Sequence, residues 1–161
     1  VQSRPSLKEI HGAETRLLER DIMIKELVRD EEILSTPCTP ATAEDAELAQ
    51  DLLDTLAAHE DAACLAANQI GVTKCACAYL DANENPHVMF NPMMKRALGA
   101  FKVEEGCITR DEPSKVTRFA RCTIEFDEIK DGKLVHRKKE MSDWDAQIIQ
   151  HMIDHCKGKL V

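Results

Sequence analysis

The chain has 161 residues and a formal net charge of −8. That length supports one domain with a sizeable core, and the acidic balance argues against a nucleic-acid partner, which would call for a basic face. No apolar run reaches the ~18 residues of a membrane helix, the opening "VQSRPSLKEIHG" is too polar for a secretory signal, and seven cysteines without a CxxC pair read as reduced thiols. A cytoplasmic protein with no membrane partner is expected.

Residues 1–20 read as a helical extension. Within "SLKEIHGAETRLLERD", Ser6 is a candidate N-cap with Glu9 three residues on. The remainder, 21–161, is expected to be one domain. "IMIKELVRDEEILSTPCTPA" reads as a connector with strand-like pieces, broken by Pro37 and Pro40. "TAEDAELAQDLLDTLAAHED" reads as a helix capped by Thr42, with Glu44 and Asp45 in its first turn and Ala49, Leu52, Leu53 and Leu56 as its buried stripe.

The texture then changes. "KCACAYL" and "HVMFNP" are strand candidates, and Asp131-Gly132 is a hairpin turn between two strand-like runs. A second helix follows in "SDWDAQIIQHMIDHCKGKLV". Ser142 with Asp145 suggests a capped start, and Gly158 a stop. A helix, several antiparallel strands and a further helix make an α+β chain, since strands and helices do not alternate.

Three stretches carry chemical potential. His151 and His155 lie four apart, so they share a helix face and could meet one metal ion. The same spacing also fits two ordinary helix histidines. Cys107, in "VEEGCITR", offers a soft thiolate suited to Zn²⁺ or Fe²⁺, or else is a small buried hydrophobe. "CLAANQIGV" is rich in small residues that let a backbone approach a ligand, and Gln69 could present its amide to a carbonyl oxygen.

In order, "CLAANQ", "EGCIT" and "QHMIDH" resemble the G-L-A-A-x-Q, E-G-C-hydrophobic-S and Q-H-E-x-D-H motifs of the peptide deformylases. The resemblance runs from about Asp21 onward and looks like a short-tailed bacterial branch, with no ribosome-docking tail. It implies a single α+β deformylase-like domain, with antiparallel sheets around a central metal-binding helix. It implies removal of the N-formyl group from the initiator methionine of new peptides, with release of formate. Cys107, His151 and His155 would hold one divalent transition metal, natively Fe²⁺, with Zn²⁺ or Ni²⁺ also possible. Gln69 and the backbone N–H of Ile108 would stabilise the oxyanion. Cys64, Leu65, Glu105 and Gly106 would contact an N-formylmethionyl peptide or a related peptide N-terminus.

The sequence departs from the family at two telling positions. Met152 stands where the family has its catalytic glutamate, and a thioether carries no proton. Weak hydrolysis is therefore expected, or else a non-catalytic relative that keeps the metal as a binding or structural module. With Trp144 and Ile148 at i−8 and i−4, Met152 could also extend a core stripe. Cys64 replaces a glycine, where its thiol would narrow the substrate site, reach the metal as a fourth ligand, or simply pack.

Overall fold

The computed structural model describes residues 21–161. The helical extension expected over residues 1–20 lies outside them. Five strands form one antiparallel sheet in sequence order: β1 (Cys64–Ala66), β2 (Ala76–Leu80), β3 (Pro86–Cys107), β4 (Arg110–Lys130) and β5 (Lys133–Ser142). Among the described residues three α-helices accompany it: α1 (Glu31–Leu34), α2 (Ala46–Ala58) and α3 (Asp143–Cys156). The α+β class expected from sequence is the observed one, although one continuous meander replaces the several sheets anticipated.

The sheet is buried on both faces where it is shortest. Side chains alternate along a strand, so β2 sends Cys77 and Tyr79 to one side and Ala76 and Ala78 to the other. Cys77 and Tyr79 join Met89, Ile124, Phe126 and Met141 against Ile148, Ile149, Met152 and Ile153 of α3. Ala76 and Ala78 join Leu65 and Phe90 against Leu48, Leu52 and Leu56 of α2. Two amphipathic helices therefore clasp the same strands from opposite sides. Small alanines on the α2 side let that helix approach closely.

Asp131 and Gly132 both take positive φ, 51° and 74°, and close β4 onto β5 through the Lys130–Lys133 pair. That is the two-residue turn the Asp-Gly signal demands. Gly158 also takes a positive φ, 74°, just beyond α3. A Cβ there would lie 2.6 Å from the Ser35 carbonyl oxygen and 2.8 Å from Pro37 N, so glycine alone lets the segment after α1 cross the end of α3.

Several local expectations change. The connector contains α1 and no strand; Thr39 makes only a single bridge, to Lys74. Thr42 does cap, but it caps a 3₁₀ turn, Ala43–Asp45, that precedes α2. The buried face of α2 includes Leu48 beside Leu52 and Leu56, while Ala49 and Leu53 are half-buried at its edge. Ser142 sits at the N-cap of α3 without a side-chain cap bond, and Asp145 accepts instead from the Ala82 N–H at 2.9 Å. Trp144 is 48% exposed and stands outside the core stripe.

Candidate metal centre

One face of α3 and the tip of the β3–β4 hairpin build the site. His151 and His155 project from successive turns of α3. Cys107 closes β3, where it pairs with Arg110 across the two-residue turn Ile108–Thr109. His155 Nε2 lies 3.1 Å from His151 Nε2 and 3.5 Å from the Cys107 sulfur. The three ligand atoms all fall within 4.8 Å of one another. A tetrahedral zinc site with standard bond lengths has N–N edges of ~3.3 Å and S–N edges of ~3.5 Å. The donor set therefore fits one divalent cation in both chemistry and spacing.

A buried network fixes these donors. Glu105, two residues before Cys107 on β3, receives His151 Nδ1 at 2.9 Å. Its carboxylate also accepts from Arg118 Nη2 at 2.7 Å and from Gln147 Nε2 at 2.9 Å. Arg118 reaches on to Asp154 at 2.6 Å, which crosslinks β4 to α3. With His151 Nδ1–H committed to Glu105, Nε2 is the nitrogen turned to the site, and its lone pair would meet a cation once the Nε2 proton is displaced. The His155 backbone carbonyl is held by Asn68 Nδ2 at 3.0 Å.

The charges agree with that arrangement. Burial works to raise the Cys107 pKa, but hydrogen bonds from His151 and His155 outweigh it and bring the thiol down to about 5. Burial likewise opposes ionisation of Glu105, yet His151, Arg118 and Gln147 hold it at about 2. Burial would lower the His151 pKa; bonds to Cys107 and Glu105 instead lift it to about 9. A thiolate and a carboxylate beside two imidazoles make a place that favours positive charge.

Beside the donors, the Gln69 amide is locked in one orientation. Its Oε1 accepts from the Ala66 N–H at 2.8 Å, which turns Nε2 towards Thr109 Oγ1 at 3.0 Å and the Cys107 sulfur at 3.4 Å. Ile108 lies half-buried in the turn next to Cys107. A cavity of about 340 Å³ opens at His151, lined among others by Cys64, Glu105, Gly106, Trp144 and Ile148. Cys64 thus faces the cavity but stands outside the group of converging donors. Burial, then the nearby Cys107 and Glu105 charges, push its thiol up to about 12, so it stays protonated there. Leu65, expected at the substrate, instead points to the α2 side of the sheet, since strand alternation turns it away from its neighbours Cys64 and Ala66. Met152 is 0% exposed and packs among Ala66, Ile149 and Ile153, directly after His151.

Arg118, Gln147, Thr109 and Asn68 were not singled out as site residues from sequence. Gln147 lies four residues before His151 on the helix, and that spacing could have placed it on the metal face. Arg118 carries no local signal; the β3–β4 pairing brings it to Glu105, and the packing of β4 on α3 brings it to Asp154.

Fold and donor set together define a class: α+β proteins with a candidate Cys-His-His metal centre. Residues 24–161 match the sequence family described as polypeptide deformylase, and the chain belongs to that family. The peptide deformylase of Clostridium beijerinckii is 34% identical over 140 residues, covering 86% of this chain and all of that one. Among solved structures, the peptide deformylase from Thermus thermophilus aligns with a TM-score of 0.74 at 25% identity, over 86% of this chain and 83% of that one. One from Legionella pneumophila gives 0.73 at 26% identity, over 85% and 83% respectively.

Proposed function

We propose that the protein holds one divalent metal, Fe²⁺ natively and Zn²⁺ or Ni²⁺ as substitutes, on Cys107, His151 and His155. We further propose that it takes N-formylmethionyl peptide ends in the adjoining cavity and hydrolyses them slowly, in the cytoplasm, releasing formate. When bound, the cation would supply Lewis acidity and lower the pKa of a water towards neutrality.

The chain's own residues would do the rest. Gln69, fixed by Ala66, would donate its amide to the oxygen of the reacting carbonyl, and the Ile108 N–H would supply a second donor at the hairpin tip. Ile148 and Trp144 would meet the methionine side chain. Glu105 would hold the His151 tautomer and, being bound to Arg118 and Gln147, would not carry protons to the leaving amine.

The observation that carries the slow rate is Met152. It follows His151, is sealed in the core, and has no proton to give. Asp154, the nearest helix carboxylate, is engaged by Arg118. General acid–base assistance is typically worth about 10²–10⁴-fold, so the rate falls by that order without it.

The same engagement of Glu105 and Asp154 favours a second reading, a non-catalytic member that binds peptide N-termini. Formate release from a formyl-Met peptide by the metal-loaded protein separates the two. A slow turnover that requires the metal supports the hydrolase. Peptide binding with no formate above the uncatalysed background supports the binding module.

A further inference from the structure

The sheet has a second face, turned away from α3. On β4, Cys122, Ile124 and Phe126 point to α3, so the residues between them point outward. α2 packs on that outer face at Leu65, Ala76, Ala78 and Phe90. Beyond those residues, strand pairing sets side chains in two rows across β3, β4 and β5. Arg96 faces Thr123, which faces Glu140; Leu98 faces Arg121, which faces Ser142. All of them line one cavity of about 480 Å³.

Arg96 reaches this face through a bulge. Met94 pairs with Ile124 and packs towards α3, and unbroken alternation would send Arg96 the same way. The register shift between Met94 and Arg96 inserts Lys95 as an extra residue, and Arg96 pairs with Thr123 on the outer face instead. It thereby becomes the diagonal neighbour of Arg121. Such neighbours stand about 7–8 Å apart, within reach of long side chains.

Two guanidinium groups that close repel unless an anion lies between them. Arg29, Arg118 and Arg137 each have a carboxylate partner. Arg96 and Arg121 have no ion pair or hydrogen bond among the described residues. Thr123 between them is only 7% exposed, and its hydroxyl also has no partner among the described residues. A buried hydroxyl normally has one. Ser142 makes no side-chain cap bond to α3, which leaves its hydroxyl free as well.

We infer that this cavity is a binding site for a phosphate group, held by Arg96 and Arg121 with the Thr123 and Ser142 hydroxyls donating beside them. Guanidinium forks match phosphate oxygens in geometry and charge. Glu140 is the one carboxylate in the lining, so the site keeps a positive balance. As an acceptor, Glu140 would favour a phosphate ester bearing hydroxyl donors over free phosphate. The site lies across the sheet from α3 and rests on neither the metal nor deformylation.

The test titrates the full-length, Zn²⁺-loaded chain with inorganic phosphate and, separately, with ribose 5-phosphate, read by calorimetry at constant ionic strength. Saturable binding of at least one of them is expected. Arg96→Ala and Arg121→Ala should each weaken it by about tenfold or more, as the loss of a charge-assisted hydrogen bond implies. Both arginines are exposed, so neither variant disturbs the core. Thr123→Val should weaken binding at unchanged charge. Tighter binding of the ester, lost in Glu140→Gln, assigns a phosphate ester; equal binding of the two assigns free phosphate. No saturation by either ligand would overturn the inference. So would full affinity retained in both arginine variants, since the phosphate would then sit elsewhere, the metal centre included.

Discussion

Replacing Met152 by glutamate would put a carboxyl group one residue beyond His151 on α3, at a position now 0% exposed. Gln69, the hairpin turn and the three donors are already in place around it. Met152→Glu is therefore expected to raise formate release from a formyl-Met peptide by at least about 10²-fold, the lower end of general acid–base assistance. The same change should cost stability, because a buried carboxyl without a partner is worth about 1–3 kcal/mol. Turnover and a denaturant melt on one preparation measure both effects; a stable, metal-loaded variant with no gain would move suspicion to Cys64 in the cavity. Glu105→Gln tests the layer behind the donors. It keeps the side chain's shape but removes the charge facing His151 and Arg118. Orienting partners of metal ligands contribute about 10–100-fold to affinity, and the variant should lose that much in competition with a chromogenic chelator.

The turn between β2 and β3 has its own titration. Asp81 binds His87 Nε2 at 2.8 Å and caps the N–H groups of Asn83 and Asn85. The His87 bond first, then the Asn85 N–H, lower its pKa from 3.8 to about 2. A carboxyl depressed by folding stabilises the fold fully above its unfolded value and loses that stabilisation as pH falls through the folded one. Asp81→Asn should therefore flatten the drop in melting temperature between about pH 4 and pH 2, and a slope unchanged from the parent would contradict this. At the other end of the fold, Gly158→Ala meets both a left-handed φ and the Ser35 carbonyl. The left-handed conformation alone costs about 1–2 kcal/mol, so a denaturant titration should show at least that loss.

Elements announced by a local signal were legible in the sequence. The Asp131-Gly132 turn, the histidine spacing on α3 and the Gly158 stop each depend on a few adjacent residues. What stayed hidden depends on remote partners. Asp145 abandons Ser142 for Ala82 on the β2–β3 turn, and Trp144 leaves the core because the face of α3 is chosen by the sheet beneath it. The full length of β3 was illegible because register shifts between Phe90 and Met93 and between Met94 and Arg96 break its alternation. At the site, residue types announced the donors, whereas Arg118 joins through the β3–β4 pairing and Asn68 when the Ala67–Ile70 turn docks on α3.

For the molecule as a whole, a cation held between β3 and α3 binds only the folded chain. At a hundredfold excess over its dissociation constant, it should add about 2.7 kcal/mol. That corresponds to a rise in melting temperature of roughly 5–10 °C for a chain of this size, read by scanning calorimetry in chelator and then in excess Zn²⁺. No shift would remove the metal reading. The meander has a temporal side. Each strand pairs with its neighbour in sequence, so as the polypeptide leaves the ribosome every hairpin can zip as soon as its second arm emerges. The thiol at the β3 tip is thus in place early, while both imidazoles arrive with α3, after the fifth strand. A nascent chain halted within β5 would own a nearly complete sheet and a single donor. Capture of the cation then becomes a late event in biosynthesis, a chemical signature that translation has run past His155.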